Sequence, residues 1–260
     1  MNLKQLTNEV NNTYYTNNSY KVITSKCKEL LELIGASTNI KKINTVRINQ
    51  YIQQLKQKDN KPATINSKLA YLSKCLTYAY HNGYIPYKPL IAHIKIQATK
   101  DVILSDDIID KMILYTQENN LQELYKVIVI GINTGMRISN ILSTVPSDID
   151  NNYIRIYHNK TNKPYSIPLN DKLKELFKDY QPITLNYRQI QYQFKTMVKS
   201  LNLDERITIH TLRHTTASKL IQKDIPLPVI QKILNHTSIN TTMRYTHICN
   251  KQLESAVNVL

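Results

Sequence analysis

The chain has 260 residues, 42% of them hydrophobic, and carries 34 Lys and Arg against 19 Asp and Glu, a formal charge of +15. That length supports one large domain or two modest ones with real cores, and that apolar content excludes a disordered chain. The positive surplus favours a polyanion partner captured in a salt-dependent way, although a Lys- and Asn-rich chain from an AT-rich genome carries the same surplus without one.

The N-terminal "MNLKQLTNEVNN" has no apolar stretch of the kind a signal peptide needs, and the run "VIVIGI" at 127–132 is too short to span a bilayer. Cys27, Cys75 and Cys249 are scattered and form no C-x-x-C pair, which argues against a disulfide framework or a zinc knuckle. A reducing cytoplasm and no membrane association are expected.

The first hundred residues read as helical. Ile23, Cys27, Leu30, Leu31 and Ile34 follow helical apolar spacing up to Gly35. A second helix is expected from Asn44 or Thr45 to about Lys58. The third opens at Pro62 and runs a stripe of Ile65, Leu69, Leu72, Leu76 and Ala79 to Asn82-Gly83. Asn66, Ser67, Lys68 and Lys74 lie off that stripe, where they face either DNA or water.

"YIPYKPLIAHIKIQATKDVILSDD" reads as a connector, with a domain boundary expected near residues 95–101. Ser105 followed by two aspartates looks like a helix cap and first turn. Helices are expected at about 106–118 and 121–133, ending at Thr134-Gly135. "YIRIY" (153–157) and "YSIPL" (165–169) flank the polar tip "HNKTNK" and predict a hairpin. Helical patterns return near 170–179, 187–201, 210–223, 226–234 and 238–246. The expected fold is mainly α with a small antiparallel β-sheet.

The stretch "HTLRHTTAS" (210–218) puts His210, Arg213 and His214 within one turn. As a metal site it lacks a third ligand. Thr211 stands where a catalytic glutamate would, and Arg213 would set a positive charge beside the metal. As a phosphate grip it has company: His210 and Arg213 are i, i+3 neighbours. Arg137 follows the Gly135 turn in "NTGMRISNIL", Lys160 lies on the hairpin tip, and "LNHTSINTTMRYTH" carries His236 and Tyr245. Two arginines, a lysine, two histidines and a tyrosine suit nucleophilic attack on a phosphodiester without a metal ion.

The ordered set "TGMRISNIL", "NKTNKPYSIPL", "HTLRHTTAS" and "LNHTSINTTMRYTH" resembles the tyrosine recombinase family, the phage lambda integrase type, over essentially the whole chain. The resemblance implies a helical, SAM-like core-binding domain (1–97) and an α+β catalytic domain (98–260) with a C-terminal tail (250–260), closing as a C-shaped clamp on DNA. It implies that Arg137 and Arg213 hold the non-bridging oxygens of the scissile phosphate and that Lys160 protonates the leaving 5′ oxygen. His210 assists proton transfer, His236 supports the transition state, and Tyr245 is the nucleophile. No cofactor is implied. Arg244 reads as a phosphate contact and His214 as a packing residue.

Double-stranded DNA is the implied partner, with a monomer in solution becoming a homotetramer on recombination sites, aided by DNA-bending or directionality proteins. The tail places Leu253, Ala256, Val257 and Leu260 on one helix face, which the resemblance assigns to the neighbouring subunit of that tetramer. Two positions depart from the family pattern: Asn140, where an acidic residue is frequent three after the first arginine, and Asn235, where glycine precedes the histidine. Asparagine tolerates the left-handed backbone such a turn needs. The function expected is site-specific recombination, most simply integration of a phage or mobile element. A Xer-like resolvase, a DNA invertase, a type IB topoisomerase and a non-catalytic DNA-binding relative are the alternatives.

Overall fold

The computed structural model describes residues 1–15, 17–96, 101–150, 152–157 and 164–243, without the side chains of 17–21. The chain divides into two compact units, Met1–Thr99 and Lys100–Leu260.

The first unit consists of α1 (Leu3–Tyr14), α2 (Asn17–Ile34), α3 (Thr45–Gln57) and α4 (Pro62–His81). Helix α1 adds to the three helices that periodicity singles out. Its start is fixed by a reciprocal cap, in which Asn2 Oδ1 accepts from the Gln5 N–H and Gln5 Oε1 accepts from the Asn2 N–H, both at 2.9 Å. Helix α4 opens on Pro62, whose missing N–H costs nothing in a first turn. Its stripe of Ile65, Leu69, Leu72, Leu76 and Ala79 is buried against Leu3, Leu6, Leu30 and Leu55.

The second unit begins with α5 (Asp106–Glu118), capped by Ser105 Oγ accepting from the Ile108 N–H, with Asp106 and Asp107 against the positive end of the helix. Then come α6 (Gln122–Thr134) and the short α7 (Ile138–Leu142). Strands β1 (Tyr153–Ile156) and β2 (Tyr165–Pro168) pair antiparallel with Ile154 opposite Ile167 and Ile156 opposite Tyr165. The strands stop one residue short of the expected ends, because Tyr157 and Leu169 lie outside the paired register. Helices α8 (Asp171–Phe177), α9 (Tyr187–Ser200), α10 (Ile209–Gln222), α11 (Leu227–Leu234) and α12 (Ile239–Met243) follow.

Helix α10 is the axis of this unit. It is covered nearly all round, burying Thr211, Arg213, Thr215, Thr216 and Ser218 along with Ile209, Leu212, Ala217 and Ile221. It crosses α6 closely because Gly131 has no side chain: a Cβ there would stand 3.0 Å from Leu212 Cδ1. Two of the buried hydroxyls tie the helix to its neighbours, Thr216 Oγ1 donating to the Ile132 carbonyl at 2.9 Å and Thr215 Oγ1 accepting from the Leu104 N–H at 3.0 Å. Arg213 is thereby held at a fixed height in the core. No described helix is long and apolar enough to cross a membrane.

Candidate active site

Two helix ends build the floor of the site. Helix α6 stops at Gly135 with φ 64°, and α11 stops at Asn235 with φ 47°. Both residues are left-handed caps, a conformation that glycine and asparagine adopt at least cost. At Gly135 space decides as well, since a Cβ would approach Leu234 Cδ2 to 2.5 Å. The caps turn main-chain carbonyls towards the arginines. Arg213 Nη1 donates to Gly135 O at 2.6 Å and Nη2 to Leu234 O at 2.5 Å, while Arg137 Nη2 donates to Asn235 O at 3.2 Å. A helix C-terminus carries partial negative charge, so two such ends stabilise cations that would otherwise be costly to bury. Arg213 is 3% exposed, while Arg137, at the start of α7, is half-buried.

His236 directly follows the Asn235 cap. Its backbone N–H donates to Gln231 O and its carbonyl accepts from Gln231 Nε2, both at 3.0 Å, and its Nδ1 lies 2.8 Å from Thr242 Oγ1 on α12. Burial, and then the positive fields of Arg213, Arg137, His210 and His214, push its acid range down to about 4. The ring is therefore neutral at pH 7 and acts as a hydrogen-bonding group rather than a charge. His210 is exposed, and its ring meets that of His214 edge-on at 4.6 Å. His214 Nδ1 stands 3.9 Å from an Asp101 carboxylate oxygen.

The depression of His236 has a measurable consequence. In the unfolded chain the imidazole titrates near 6.5, and in the folded chain only near 4, so protons bind the unfolded chain first. This contribution to stability is intact above pH 6.5 and is lost as the pH falls towards 4. Thermal unfolding between pH 7 and 5 is expected to show a smaller drop in Tm for His236→Gln than for the parent chain. An unchanged drop would mean that His236 does not control it.

Asn140 is 3% exposed and donates from Nδ2 to the Tyr165 hydroxyl at 3.2 Å. Its own carbonyl accepts from Thr144 Oγ1 at 2.9 Å and Ser143 Oγ at 3.1 Å. Tyr165, at the start of β2, is a site residue that the sequence did not single out. Nothing in "YSIPL" separates it from a tyrosine chosen for strand propensity. Burial raises its phenol above the ordinary value of 10.0, against the pull of the Asn140 amide and of the Arg213 and Arg137 guanidiniums. That shift makes its phenol harder to ionise than an ordinary tyrosine.

The structure thus brings Arg137, His210, Arg213 and His236 together around the ends of α6 and α11. Lys160, Arg244, Tyr245 and the tail 250–260 lie outside the described residues. In the first unit each of the four polar candidates beside the α4 stripe has an internal partner. Asn66 donates to Ile94 O and accepts from the Ile94 N–H, both at 2.8 Å. Ser67 Oγ accepts from Lys26 Nζ at 2.7 Å, and Lys68 Nζ meets Glu29 at 2.5 Å and Asn60 at 2.8 Å. Lys74 Nζ sits over the rings of Tyr14 and Tyr15, 4.3 and 4.4 Å from their centroids. Asn66 pins the middle of the connector as a β-ladder partner would. Asn66→Ala is expected to cost about 1–3 kcal/mol in urea unfolding of the first unit, because it strands both polar groups of Ile94. A change within error would show that water replaces the amide.

Residues 103–252 match the profile of the phage integrase family, and residues 2–96 match the phage integrase SAM-like domain. The tyrosine recombinase XerC of Thermodesulfovibrio yellowstonii is 26% identical over 248 residues, covering 84% of this chain and 82% of the relative. Among solved structures, the Tn1549 transposon integrase in complex with circular intermediate DNA superposes with a TM-score of 0.81 at 20% identity, covering 94% of this chain and 95% of that one. A lambda integrase tetramer bound to a Holliday junction gives 0.73 at 20% identity, over 91% of this chain and 76% of that one. Matched over more than half of its length by that family's profile, the chain belongs to the phage integrase family.

Proposed function

We propose that this protein is a site-specific tyrosine recombinase that cuts and rejoins duplex DNA, most simply as the integrase of a phage or mobile element. The carrying observation is the pair of arginines hung from the carbonyls of two helix ends, with a neutral histidine beside them. Such a floor offers planar, permanently charged donors to the oxygens of a phosphate.

In the reaction, the Tyr245 oxygen gives up its proton to His210, attacks the scissile phosphorus and forms the P–O bond of a 3′-phosphotyrosyl link. The bond to the 5′ oxygen breaks, and that oxygen takes a proton from Lys160. Arg137 and Arg213 hold the non-bridging oxygens as charge grows on the phosphorane. His210 relays protons, and neutral His236 accepts or donates one hydrogen bond. Attack by a 5′-hydroxyl of a second strand reverses these steps. Because the ester bond is exchanged and not hydrolysed, no nucleotide cofactor is consumed. Tyr245 lies three residues beyond Thr242, whose hydroxyl meets His236, and three residues of chain reach at most about 11 Å.

The two units are the domains of the enzyme, a core-binding domain ending near 97 and a catalytic domain from 98 onwards. By analogy with the lambda integrase tetramer on a Holliday junction, strand exchange runs in a tetramer assembled on two sites. The similarity to a XerC tyrosine recombinase supports a Xer-like resolvase as a second reading. The experiment begins with a pool of randomised duplexes carrying nicks. Strands that stay bound to the protein through denaturation are sequenced, and two copies of the recovered site are offered for recombination. Joined products from a linear and a circular partner support integration, and excision from a tandem dimer supports resolution. A pool that yields no covalent complex would overturn the recombinase reading.

A further inference from the structure

The two positions at which the chain departs from its family's pattern, Asn140 and Asn235, meet at one side chain. Asn140 lies in α7, three residues after Arg137, and its backbone N–H donates to Arg137 O at 2.8 Å. Its amide nitrogen donates to the Tyr165 hydroxyl at 3.2 Å. Asn235, ending α11, faces the same phenol with its side-chain amide and accepts Arg137 on its carbonyl at 3.2 Å. Among the described residues Asn235 Nδ2 is a buried nitrogen with no hydrogen-bond partner. A half-turn about the last side-chain bond exchanges the amide's two ends and offers Oδ1 instead. The phenol has a hydrogen for it, because the bond from Asn140 uses only an oxygen lone pair.

We propose that Tyr165 is a positioning residue for the arginine clamp: its hydroxyl, taking a bond from Asn140 and giving one to Asn235, ties the start of α7 to the end of α11. This rests on reading the site as a phosphate clamp. Arg137 is carried by the first of those elements and anchored to the second. Arg213 is anchored to Leu234 O, one residue before Asn235. A tie between them sets the spacing of the two guanidiniums. Being neutral, the Asn140–Tyr165–Asn235 chain does this without a carboxylate to compete with the phosphate for their charge.

The test uses the full chain and orthovanadate, a phosphate analogue that reaches five-coordination, with binding followed by vanadium-51 NMR. The parent chain is expected to bind, and Arg137→Lys to bind far less. Tyr165→Phe keeps the ring and removes the tie; stranding the buried Asn140 amide is expected to lower its Tm by a few degrees while the chain stays folded, and vanadate binding weakens on the order of tenfold. Asn140→Leu is expected to give the same loss, and the double variant no more than either single one, because both cut the same link. In an Arg137→Lys background, Tyr165→Phe is expected to add nothing, an outcome that a general structural role does not produce. Asn235→Gly keeps the left-handed cap and the carbonyl while removing the amide, and is expected to weaken binding several-fold even if Tyr165→Phe fails to fold. Parental affinity in Tyr165→Phe or Asn235→Gly, or losses that multiply in the double variant, would overturn the proposal. A parent chain that binds no vanadate overturns the phosphate clamp itself, and this proposal falls with it.

Discussion

Tyr245→Phe is expected to abolish covalent capture of DNA, by at least about 10³-fold, while duplex affinity and thermal stability stay at parental values. The substitution removes one oxygen, and that oxygen is the atom proposed to bond to phosphorus. A phenol ionises near pH ~10, so attack at neutral pH needs a proton acceptor and nearby positive charge. The site has that charge in Arg137 and Arg213, each held against main-chain carbonyls. Tyr165 is the tyrosine described beside these arginines, but burial keeps its proton on and Asn140 already occupies its oxygen. It is therefore not expected to take over when Tyr245 is changed. The measurement is the yield of protein–DNA adduct on a denaturing gel, with the site recovered from the randomised pool as a nicked substrate. Adduct at normal yield from Tyr245→Phe would assign the nucleophile elsewhere. Cleavage by the parent is expected to survive EDTA, since the charge on the phosphorane is met by guanidiniums, and strict dependence on a divalent ion would overturn that mechanism.

What could be read from the sequence follows from how far apart the cooperating residues lie. Caps are local. Ser105 before two aspartates and Gly135 after Thr134 announced helix ends because the side chains that make an end sit within four residues of it. The same holds for Asn235, whose tolerance of φ 47° follows from its own chemistry. The α4 stripe was legible because burial has the helix period. Helix α1 was not singled out, because its buried face has only Leu3, Leu6 and Val10, with Thr7 filling the fourth place. Polar pairing has no period at all. Asn66 bonds a backbone 28 residues away, and Lys26 reaches Ser67 across 41 residues. Whether an off-stripe residue faces water, DNA or a partner inside its own unit was therefore beyond periodicity. The site shows the same limit. Four of its residues were marked by ordered motifs, but Tyr165 is joined to Asn140 across 25 residues, and the carbonyls that hold the arginines carry no side-chain signal.

The carbonyl anchors also separate the two arginines, and Arg213→Lys and Arg137→Lys are expected to fail differently. Both should slow cleavage on the order of 10²–10³-fold, since a point charge cannot bridge two phosphate oxygens as a planar fork does. Arg213 has a second duty. It spans Gly135 O and Leu234 O from the middle of α10, joining the ends of α6 and α11 across the core, and it is 3% exposed. A lysine at 213 reaches one of those carbonyls and leaves the other buried without its donor, a loss of about 1–3 kcal/mol. An ammonium is also more strongly hydrated than a guanidinium and is more costly to hold in that place. Arg137 is half-buried and its described bond is the longer one to Asn235 O, so its replacement by lysine leaves water able to reach the vacated carbonyl. Urea unfolding of the second unit should therefore shift for Arg213→Lys and scarcely move for Arg137→Lys, while single-turnover cleavage falls in both. Equal stability of the two variants would mean that the carbonyl anchors do not hold the unit together. Parental cleavage by Arg213→Lys would mean that the phosphate is gripped by something other than this fork.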